Sequence, residues 1–575
     1  MPRKFNSSHY KTFIGCDIGA PSSCLNVIDC MVQELFDFGV LNLRTKFDGQ
    51  FDDLIDIRKV SSEAFNSSIV GRVVVSADYE SCLINSLSSV ADQLSWAAHA
   101  GMYAVILDLY CFDLNTLAGV VSEFCLKYPA EHSVTRLWIS CRVSDWSLWN
   151  QVQTVCKYPG KLCVLLVYDP NEFVDSFVMC QWFSEPVSAI EFANNSVPQS
   201  SHSVLMEFFK RNCQPIVHLA ASARDEIFRL LESAPKLTWD QVYVGGYHDT
   251  LQLPLQPLAD HMDNGVYETF ETDKTKYDLY EEAIYRAIVH LNPTDTLRVA
   301  IVGAGRGGLV DSAMRAVSRI SNCKCELFAI EKNPNAARTL QYRRLDEPGW
   351  ADVRIIHCDM RNLRRCDIGG GYFDVLVSEL LGSLCDNEAS PECINGVIHL
   401  LNPTRGICIP QKYFSSVEPV SCPKIWQTAR DIGKLETVLV VYFHSSFFPT
   451  SAPKLLFEFS HQKKPPNTTA LTATVSWECE ATYTLHGFAG YFHADLFGGV
   501  VMSTHPPSKT PGMVSWFPAY LPLKVPVLVA KGQTVELQVN RKATQAKMFL
   551  EWTLLEPLVT ETHNANGCSH SVALS

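Results

Sequence analysis

The stretch that decides the fold is Leu297-Arg298-Val299-Ala300-Ile301-Val302-Gly303-Ala304-Gly305-Arg306-Gly307-Gly308. Its apolar first half predicts a buried strand, and its glycines predict a tight turn into a helix, which we expect from Asp311 to Ile320. A strand, a glycine turn and a helix in this order are typical of the first unit of a doubly wound α/β domain. Such a domain binds its ligand over the carboxyl ends of its strands.

Three more apolar runs continue this pattern, and a helix start is predicted at Asn333-Pro334. Each run predicts a buried parallel strand that ends on or near an acidic residue. The sequence therefore predicts a Rossmann-type domain with carboxylates at the edge where its ligand binds. The runs are Glu326–Ile330, which leads into Glu331, Val353–Ile356, which leads towards Asp359 and Met360, and Tyr372–Val377, which leads into Glu379.

The segment Gly303–Gly308 matches the pattern G-x-G-x-x-G, whose glycines let the backbone approach a ligand closely. Glu331 could accept hydrogen bonds from both hydroxyls of a ribose. Asp359 could accept one from an adenine amino group, and the Met360 thioether suits the adenine ring or, equally, a packed core. NAD and S-adenosylmethionine both satisfy these features, and a purely structural turn remains an alternative.

The loop Ser378–Glu388 favours one of these cofactors. Glu379 and Glu388 stand at its ends, and Gly382 between them lets the chain turn back, so that both carboxylates can face one point. A guanidinium between them would form two parallel hydrogen bonds to each carboxylate. A dehydrogenase would instead need His, Lys or Tyr beside its hydride acceptor. The alternative is that one acid is exposed and the other caps a helix.

The first 245 residues contain apolar runs whose spacing fits one strand followed by one helix. Amphipathic stretches such as Ser88–Ala100 and Ser203–Arg211 separate them. This repeat predicts a parallel sheet over residues 1–245, either open or closed into a barrel, and the number of units favours a TIM-like (β/α) barrel. We expect docking or oligomerisation there rather than catalysis. The runs are Phe38–Leu43, Ile69–Val75, Tyr103–Leu109, Leu137–Val143, Leu162–Tyr168, Ala189–Phe192 and Pro215–Leu219.

The Rossmann-type domain is predicted over residues 246–420, with an amphipathic helix from Tyr277 to Leu291 before its first strand. Residues 421–575 alternate apolar and polar side chains between Pro- and Gly-rich turns, which predicts an antiparallel sandwich or distorted barrel. The polar segment from Thr560 is expected to be loosely held. The predicted strands are Val438–Phe443, Lys454–Phe459, Leu471–Trp477, Thr534–Val539 and Phe549–Leu554.

The composition is that of an ordinary globular protein, with 47% apolar residues and a formal net charge of −13 over 575 residues. An acidic surface disfavours nucleic acid and favours basic partners. The 21 cysteines include no CxxC pair, so we expect reduced thiols and no metal. No signal-peptide pattern or membrane-length apolar run occurs, and we expect a soluble protein of the cytoplasm and nucleus.

The double-glutamate loop, continued by Ser390-Pro391-Glu392-Cys393, closely resembles that of the protein arginine methyltransferases, and is most similar to their symmetric, type II branch. Other matching motifs span roughly residues 240 to 560. They are Pro254–Leu258, Gly303–Gly307, Glu331–Ala336, His486–Phe492, Pro511–Met513 and Ser515–Pro518, with a weaker match at Trp182–Pro186.

This resemblance implies a TIM-like barrel, a Rossmann-type methyltransferase domain and a C-terminal antiparallel β-barrel that helps to form dimers. Glu379 and Glu388 would be catalytic and grip the target arginine, with Tyr280, Ser515 and Trp516 on the substrate. Trp516 would stack on the guanidinium, unless it is simply a core residue. The residues implied to hold S-adenosylmethionine are Tyr277, Arg286, Gly303, Gly305, Glu331, Asp359 and Met360.

The chain departs from the family pattern at several positions. Tyr280 stands where we expect a phenylalanine associated with symmetric dimethylation, so monomethylation alone is an alternative product. Arg286 stands where a lysine is frequent and would pair with the cofactor carboxylate. Gly308 replaces a proline, Leu384-Cys385 replaces Phe-Ala, and Cys393 matches a family cysteine that we expect to be structural.

The resemblance implies methyl transfer from S-adenosylmethionine to guanidino nitrogens in Arg/Gly-rich proteins such as histones and RNA-binding proteins, leaving S-adenosylhomocysteine. It also implies a homodimer or higher homo-oligomer and a possible WD-repeat partner on the barrel, without nucleic acid or membrane. The rival readings are a non-catalytic scaffold and an NAD-type oxidoreductase. Binding of S-adenosylhomocysteine or of NADH would distinguish them.

Overall fold

A computed structural model describes residues 15–17, 36–43, 68–75, 83–129, 132–173, 179–192, 197–218, 223–234, 236–292, 295–461 and 469–574. The chain divides into two compact units. The first comprises Met1–Val242, Cys422–Asp431 and Phe443–Phe448, and the second comprises Tyr243–Ser421, Ile432–Tyr442 and Pro449–Ser575. The predicted Rossmann-type and C-terminal domains thus share the second unit. No helix in the described ranges is long and apolar enough to cross a membrane.

The first unit contains a closed barrel of parallel strands, which confirms the predicted TIM-like fold. The first strand pairs with both the second and the eighth, and so closes the barrel. Sequence reasoning missed this first strand because its three residues are too few to show a pattern, and Leu219 of the last predicted run lies outside the described residues. The strands are β1 (Gly15–Asp17), β2 (Phe38–Leu43), β3 (Ile69–Val73), β4 (Ala104–Asp108), β5 (Arg136–Cys141), β6 (Leu162–Val167), β7 (Val187–Phe192) and β8 (Gln214–His218).

Apolar helix faces cover this barrel, and its core includes the fully buried tryptophans Trp138, Trp149 and Trp182. Glu185, in the Trp182–Pro186 motif, accepts hydrogen bonds from the indole nitrogens of Trp146 and Trp149. Its burial raises the pKa of this carboxyl to about 7. This motif therefore holds helices to the barrel. The helices are Leu83–Ala100, Leu114–Lys127, Trp146–Val155, Cys180–Ser184, His202–Lys210, Ala223–Glu232 and Pro423–Asp431, with Trp239–Val244 at the boundary of the units.

The second unit contains the predicted Rossmann-type sheet, which is parallel throughout. Its strand order is β12-β11-β10-β13-β14, so the order reverses between β10 and β13, where such folds bind their ligands. The strands are β10 (Leu297–Val302), β11 (Cys325–Glu331), β12 (Arg354–His357), β13 (Val375–Ser378) and β14 (Ile407–Ile409), and the helices are Asn264–Glu271, Lys274–Leu291, Gly308–Ser318, Pro334–Asp346 and Ser390–Val397.

The remainder of the second unit forms two antiparallel sheets. Sequence reasoning missed three long strands there because each contains a run of at least five consecutive buried residues, which conceals the alternation. Tyr483–Phe497, for example, begins with ten consecutive buried residues. One sheet contains β9 (Leu251–Gln252), β15 (Lys412–Ser421), β16 (Leu439–Val441), β17 (Phe448–Pro449), β18 (Lys454–Ser460), β20 (Tyr483–Phe497), β21 (Val500–Ser503) and β22 (Ala519–Val529), and the other contains β19 (Leu471–Glu478), β23 (Thr534–Ala543), β24 (Lys547–Glu556) and β25 (Val572–Ala573).

The segment after Thr560 is not loosely held, so that prediction is wrong. Val572 and Ala573 pair with Met548 and Lys547 of β24. Val572 and Leu574, two residues apart, are both buried in an apolar cluster. Their burial holds the segment in place, although most of its residues are polar.

Candidate active site

A cavity of about 380 Å³ lies at the carboxyl ends of β10, β11, β12 and β13, within the usual size of a small-ligand site. It is enclosed by the Rossmann-type sheet on one side and by residues 514–517 of the antiparallel region on another. The predicted site residues that line it are Tyr277, Gly303, Gly305, Glu331, Asp359, Met360, Glu379, Glu388, Ser515 and Trp516.

The glycine segment keeps one wall of the cavity clear. Gly303 and Gly305 have positive φ angles of 74° and 54°, which side chains rarely tolerate. A Cβ atom on Gly308 would lie 2.6 Å from the Tyr277 ring, so glycine there lets this tyrosine pack against the turn. The backbone itself therefore forms the wall and can approach a ligand.

Glu331, the last residue of β11, is oriented by the backbone on both sides. One carboxylate oxygen accepts from the Gly305 amide at 2.7 Å, and the other accepts from the Asn333 amide at 2.6 Å. Burial raises the pKa of this carboxyl, and these hydrogen bonds oppose the rise. The remaining lone pairs are available to donors in the cavity, such as the hydroxyls of a ribose.

Asp359 and Met360 follow β12 and form the neighbouring wall. The Arg361 guanidinium donates to both oxygens of Asp359, at 3.0 and 2.6 Å. Burial opposes ionisation of Asp359, but the hydrogen bonds from Arg361 outweigh it and hold the pKa below its usual value. The Met360 side chain is buried and faces Gly303, so an ionised acceptor and an apolar surface lie side by side.

The loop after β13 turns back as its sequence predicted. Gly382 and Cys385 form a bridge, and the Asn387 amide oxygen accepts from the Leu384 backbone at 2.7 Å. A Cβ atom on Gly382 would lie 2.4 Å from this amide oxygen, so glycine is required by space. The turn brings Glu379 and Glu388 to the wall of the same cavity.

The two glutamates have unequal partners. The Lys276 ammonium lies 3.8 Å from Glu379 and opposes the rise in pKa that burial imposes on that carboxyl. Burial and, after it, the charge of Glu379 raise the pKa of Glu388 well above its usual value. Among the described residues, no hydrogen bond or ion pair to Glu388 occurs. A second cation that entered the cavity could therefore pair with Glu388, which has no cationic partner among the described residues.

Lys276 is a site residue that sequence reasoning missed. Its side chain is 2% exposed, and its ammonium lies 4.9 to 5.3 Å from the ring centres of Phe270, Tyr277 and Trp516. The predicted helix began at Tyr277, three residues too late, because the helix spans Lys274–Leu291 and so includes Lys276. A lysine directly before the predicted cofactor tyrosine was the available signal.

Trp516 and Ser515 join the antiparallel region to this cavity. The Trp516 indole donates to the Leu381 carbonyl at 2.7 Å and so contacts the double-glutamate loop directly. The Ser515 amide donates to Asp273 at 2.8 Å, whereas its buried hydroxyl has no hydrogen-bond partner in the described part of the chain. That hydroxyl is available to a substrate.

Two predicted roles do not match the structure. Tyr280 is fully buried, is not among the residues that line the cavity, and donates its hydroxyl to the Ser378 carbonyl at 2.9 Å. The aromatic rings that line the cavity near Lys276 are those of Phe270, Tyr277 and Trp516. Residue 280 is therefore not part of the cavity wall, and the predicted correspondence of this tyrosine to a family phenylalanine stays a prediction.

The position of Arg286 does not match its predicted role at the cofactor either. It follows Tyr277 by nine residues, or two and a half helical turns, and so lies on the opposite face of the helix. Its side chain is 45% exposed and binds Glu282 and the Gly498 carbonyl, and it does not line the cavity. Lys276, by contrast, lines the cavity beside Glu379, and Arg306 and Lys332 line other parts of its wall.

The other departures from the family pattern affect packing. Leu384 and Cys385 are fully buried in the apolar core beneath the loop. Cys393 lines the cavity, and burial raises the pKa of its thiol to about 12, so it is uncharged. Thus Cys393 has the properties of a structural thiol.

The fold and the cavity define the class of protein. The sheet is parallel, a glycine turn follows its first strand and an acid ends its second. Two carboxylates after the fourth strand line the same cavity, and together these are the parts of a Rossmann-type methyltransferase. Comparison with known families identifies it further. Residues 239–409 match the PRMT5 arginine-N-methyltransferase domain, residues 412–572 the PRMT5 oligomerisation domain, and residues 59–211 the PRMT5 TIM barrel domain.

Curated relatives agree over most of the chain. Protein arginine N-methyltransferase skb1 of Schizosaccharomyces pombe is 31% identical over 86% of this chain and 87% of its own. Protein arginine N-methyltransferase 5 of Oryza sativa subsp. japonica is 31% identical over 89% of each chain, and that of Xenopus laevis is 29% identical over 90% of this chain and 89% of its own. The chain belongs to the PRMT5 family of arginine methyltransferases, the type II class.

Proposed function

We propose that this protein methylates terminal guanidino nitrogens of arginine in basic, Arg/Gly-rich proteins, including histones and RNA-binding proteins. The products are monomethylarginine and symmetric dimethylarginine. The observation that carries the proposal is the pair of cavity carboxylates, of which Glu379 has Lys276 as a partner and Glu388 has no ion pair among the described residues.

The cofactor is S-adenosylmethionine, which supplies an electrophilic methyl group. Two features of the cavity fit this cofactor. The glycine backbone forms a wall without side chains, and the carboxylates on the neighbouring walls can accept further hydrogen bonds. Glu331 would bind the ribose hydroxyls, Asp359 the adenine amino group, and Met360 the face of the adenine. Tyr277, Gly303 and Gly305 would complete the pocket. Lys276, rather than Arg286, would be the cation near the cofactor carboxylate.

The two glutamates hold the guanidinium and prepare it to react. Arginine is a weak nucleophile because its positive charge is delocalised. Carboxylates on two of its nitrogens draw the positive charge towards themselves and leave electron density on the third. They also fix the direction of approach, and the Trp516 ring would cover the planar face.

Partners and location extend this proposal. The formal net charge of −13 favours basic substrates. The match to an oligomerisation domain supports a homodimer or larger homo-oligomer. A WD-repeat partner on the barrel, and residence in the cytoplasm and nucleus, are further proposals, which co-purification and fractionation would test.

Mass spectrometry tests the function directly. The protein is incubated with an Arg-Gly peptide and S-adenosylmethionine, and the product ions distinguish mono-, symmetric and asymmetric dimethylarginine. We expect the first two. Binding of S-adenosylhomocysteine without methylation of any such peptide would point to a scaffold, and stabilisation by NADH instead would point to an oxidoreductase.

Replacing Trp516 should weaken catalysis in two separable steps. Trp516→Phe keeps an aromatic face but loses the hydrogen bond to Leu381, and we expect about a tenfold loss in kcat/KM. Trp516→Ala also loses the ring, and we expect about a hundredfold loss. Steady-state kinetics on an Arg-Gly peptide measure both. Equal values for the two variants would show that the ring contributes nothing beyond its hydrogen bond.

A further inference from the structure

Beyond the Rossmann-type sheet, one segment contacts the wall that is proposed to bind adenine. The segment Val572–Leu574 belongs to the antiparallel region, where it extends the sheet edge at β24. The Leu574 amide donates to the Ala546 carbonyl at 2.8 Å, and the Leu574 side chain is 7% exposed. Its position is therefore fixed by both backbone pairing and apolar burial.

Arg361 connects this segment to the cavity. One of its nitrogens donates to the Leu574 carbonyl, while its other nitrogens donate to the two oxygens of Asp359. The Asp359 carboxylate also accepts from the Arg361 backbone amide at 2.9 Å. With the guanidinium held at both ends, the plane of the carboxylate has one orientation.

The packing around Arg361 reinforces this connection. Val572 and Leu574 share an apolar cluster with Met360, Leu363 and Met548. A Cβ atom on Gly396 of the neighbouring helix would lie 2.7 Å from the Arg361 side chain, so the stem of Arg361 fills the space that this glycine leaves. The two residues proposed to contact adenine are thus supported from behind by residues 572–574.

We propose that Arg361 and the segment Val572–Leu574 are positioning elements for adenine recognition, and that they set how tightly the protein binds its cofactor. Neither is among the residues that line the cavity. Arg361 keeps Asp359 ionised and aimed, and the Leu574 carbonyl keeps Arg361 in place. The inference rests on the proposed function, because it takes the cavity ligand to be an adenosine compound.

Calorimetric titration of the full chain tests it with two ligands. One is S-adenosylhomocysteine, and the other is its analogue with a carbonyl oxygen in place of the adenine amino group. The unsubstituted protein should prefer the first by about tenfold or more, the usual effect of a hydrogen bond to a charged acceptor. Arg361→Met, and a variant without residues 572–575, should bind S-adenosylhomocysteine at least about tenfold more weakly and lose most of this preference.

The controls separate positioning from general damage. Arg364→Met removes an exposed arginine that pairs with Asp367, and it should leave both affinities unchanged. Combining Arg361→Met with the deletion should cost no more affinity than Arg361→Met alone, because both act through one contact. If the deletion prevents folding, the preference of Arg361→Met decides the question.

An unchanged preference in Arg361→Met would overturn the inference. So would a weakening that affects both ligands equally, since general loosening of the pocket would not distinguish an amino group from a carbonyl. If the unsubstituted protein binds neither ligand, the proposed function is what fails. If it binds both but prefers neither, the role of Asp359 fails with the inference, while the function stands on the methylation assay.

Discussion

Replacing Glu388 by glutamine should reduce methyl transfer by at least about a thousandfold while leaving cofactor affinity within about threefold. The change keeps the shape of the side chain and removes the negative charge that meets the arriving guanidinium. Glu388 is the carboxylate without an ion pair among the described residues, so the guanidinium would be its proper partner. Single-turnover methylation of an Arg-Gly peptide and calorimetry with S-adenosylhomocysteine measure the two effects.

The same variant should be as stable as the unsubstituted protein, or more stable. Burial raises the pKa of Glu388, and an acid with a raised folded pKa makes folding less favourable as the pH rises above its unfolded value of about 4.3. Glutamine removes that cost, so its stabilising effect should be larger near pH 8 than near pH 5. Thermal denaturation at both pH values measures it.

Glu458→Gln, an exposed substitution on β18, is the matched control and should change neither turnover nor stability. Comparable turnover in Glu388→Gln would contradict the assigned role. If Glu388→Gln is less stable than the unsubstituted protein at high pH, the Glu388 carboxylate is not held in the cavity at an electrostatic cost.

The sequence predicted the Rossmann-type domain well because its signals are local. A buried strand, a glycine turn and a capped helix are each written in consecutive residues, and Asn333 caps Pro334–Asp346 as expected. The same holds for the acids at the strand ends: Glu331 ends β11, Asp359 lies two residues after β12, and Glu379 comes directly after β13. The topology of parallel sheets then brings strand ends to one edge, so their convergence needs no further information.

The predictions that failed depended on which face of a helix meets the cavity, or on packing between segments that are distant in sequence. On the helix Lys274–Leu291, choosing Lys276 over Arg286 required knowing which helix face meets the cavity. A predicted start three residues late did not supply that information. The burial of Leu574 depends on an apolar surface that distant segments assemble. Neither fact is contained in the neighbouring residues.

The contact of Arg541 with the double-glutamate loop is another long-range feature. Arg541 lies on β23, is fully buried, and donates to Asp386 inside the loop and to both oxygens of Glu392 at 2.8 Å just beyond it. Burial opposes ionisation of Glu392, but the hydrogen bonds from Arg541 outweigh it and lower the pKa of this carboxyl. The double-glutamate loop is therefore fixed by a cation more than 150 residues away in sequence.

Arg541→Met should destabilise the second unit by about 3–5 kcal/mol, because it leaves two buried carboxylates without their cation. The deficit should grow with pH, since the carboxylates can take up protons in acid but not near neutrality. Urea denaturation near pH 5 and pH 7.5 measures it. Lys412→Met, which breaks the exposed pair with Asp495, is the control and should cost no more than about 1 kcal/mol.

A variant that also replaces the acids, with Asp386→Leu, Glu392→Met and Arg541→Met together, separates stability from loop geometry. Apolar side chains of similar volume should recover most of the lost stability, because a buried ion cluster contributes little beyond its own desolvation cost. Turnover should nevertheless stay low, since Glu388 follows Asp386 by two residues and depends on that anchor for its position. Recovery of both stability and turnover would show that packing alone, without the ion cluster, places the loop.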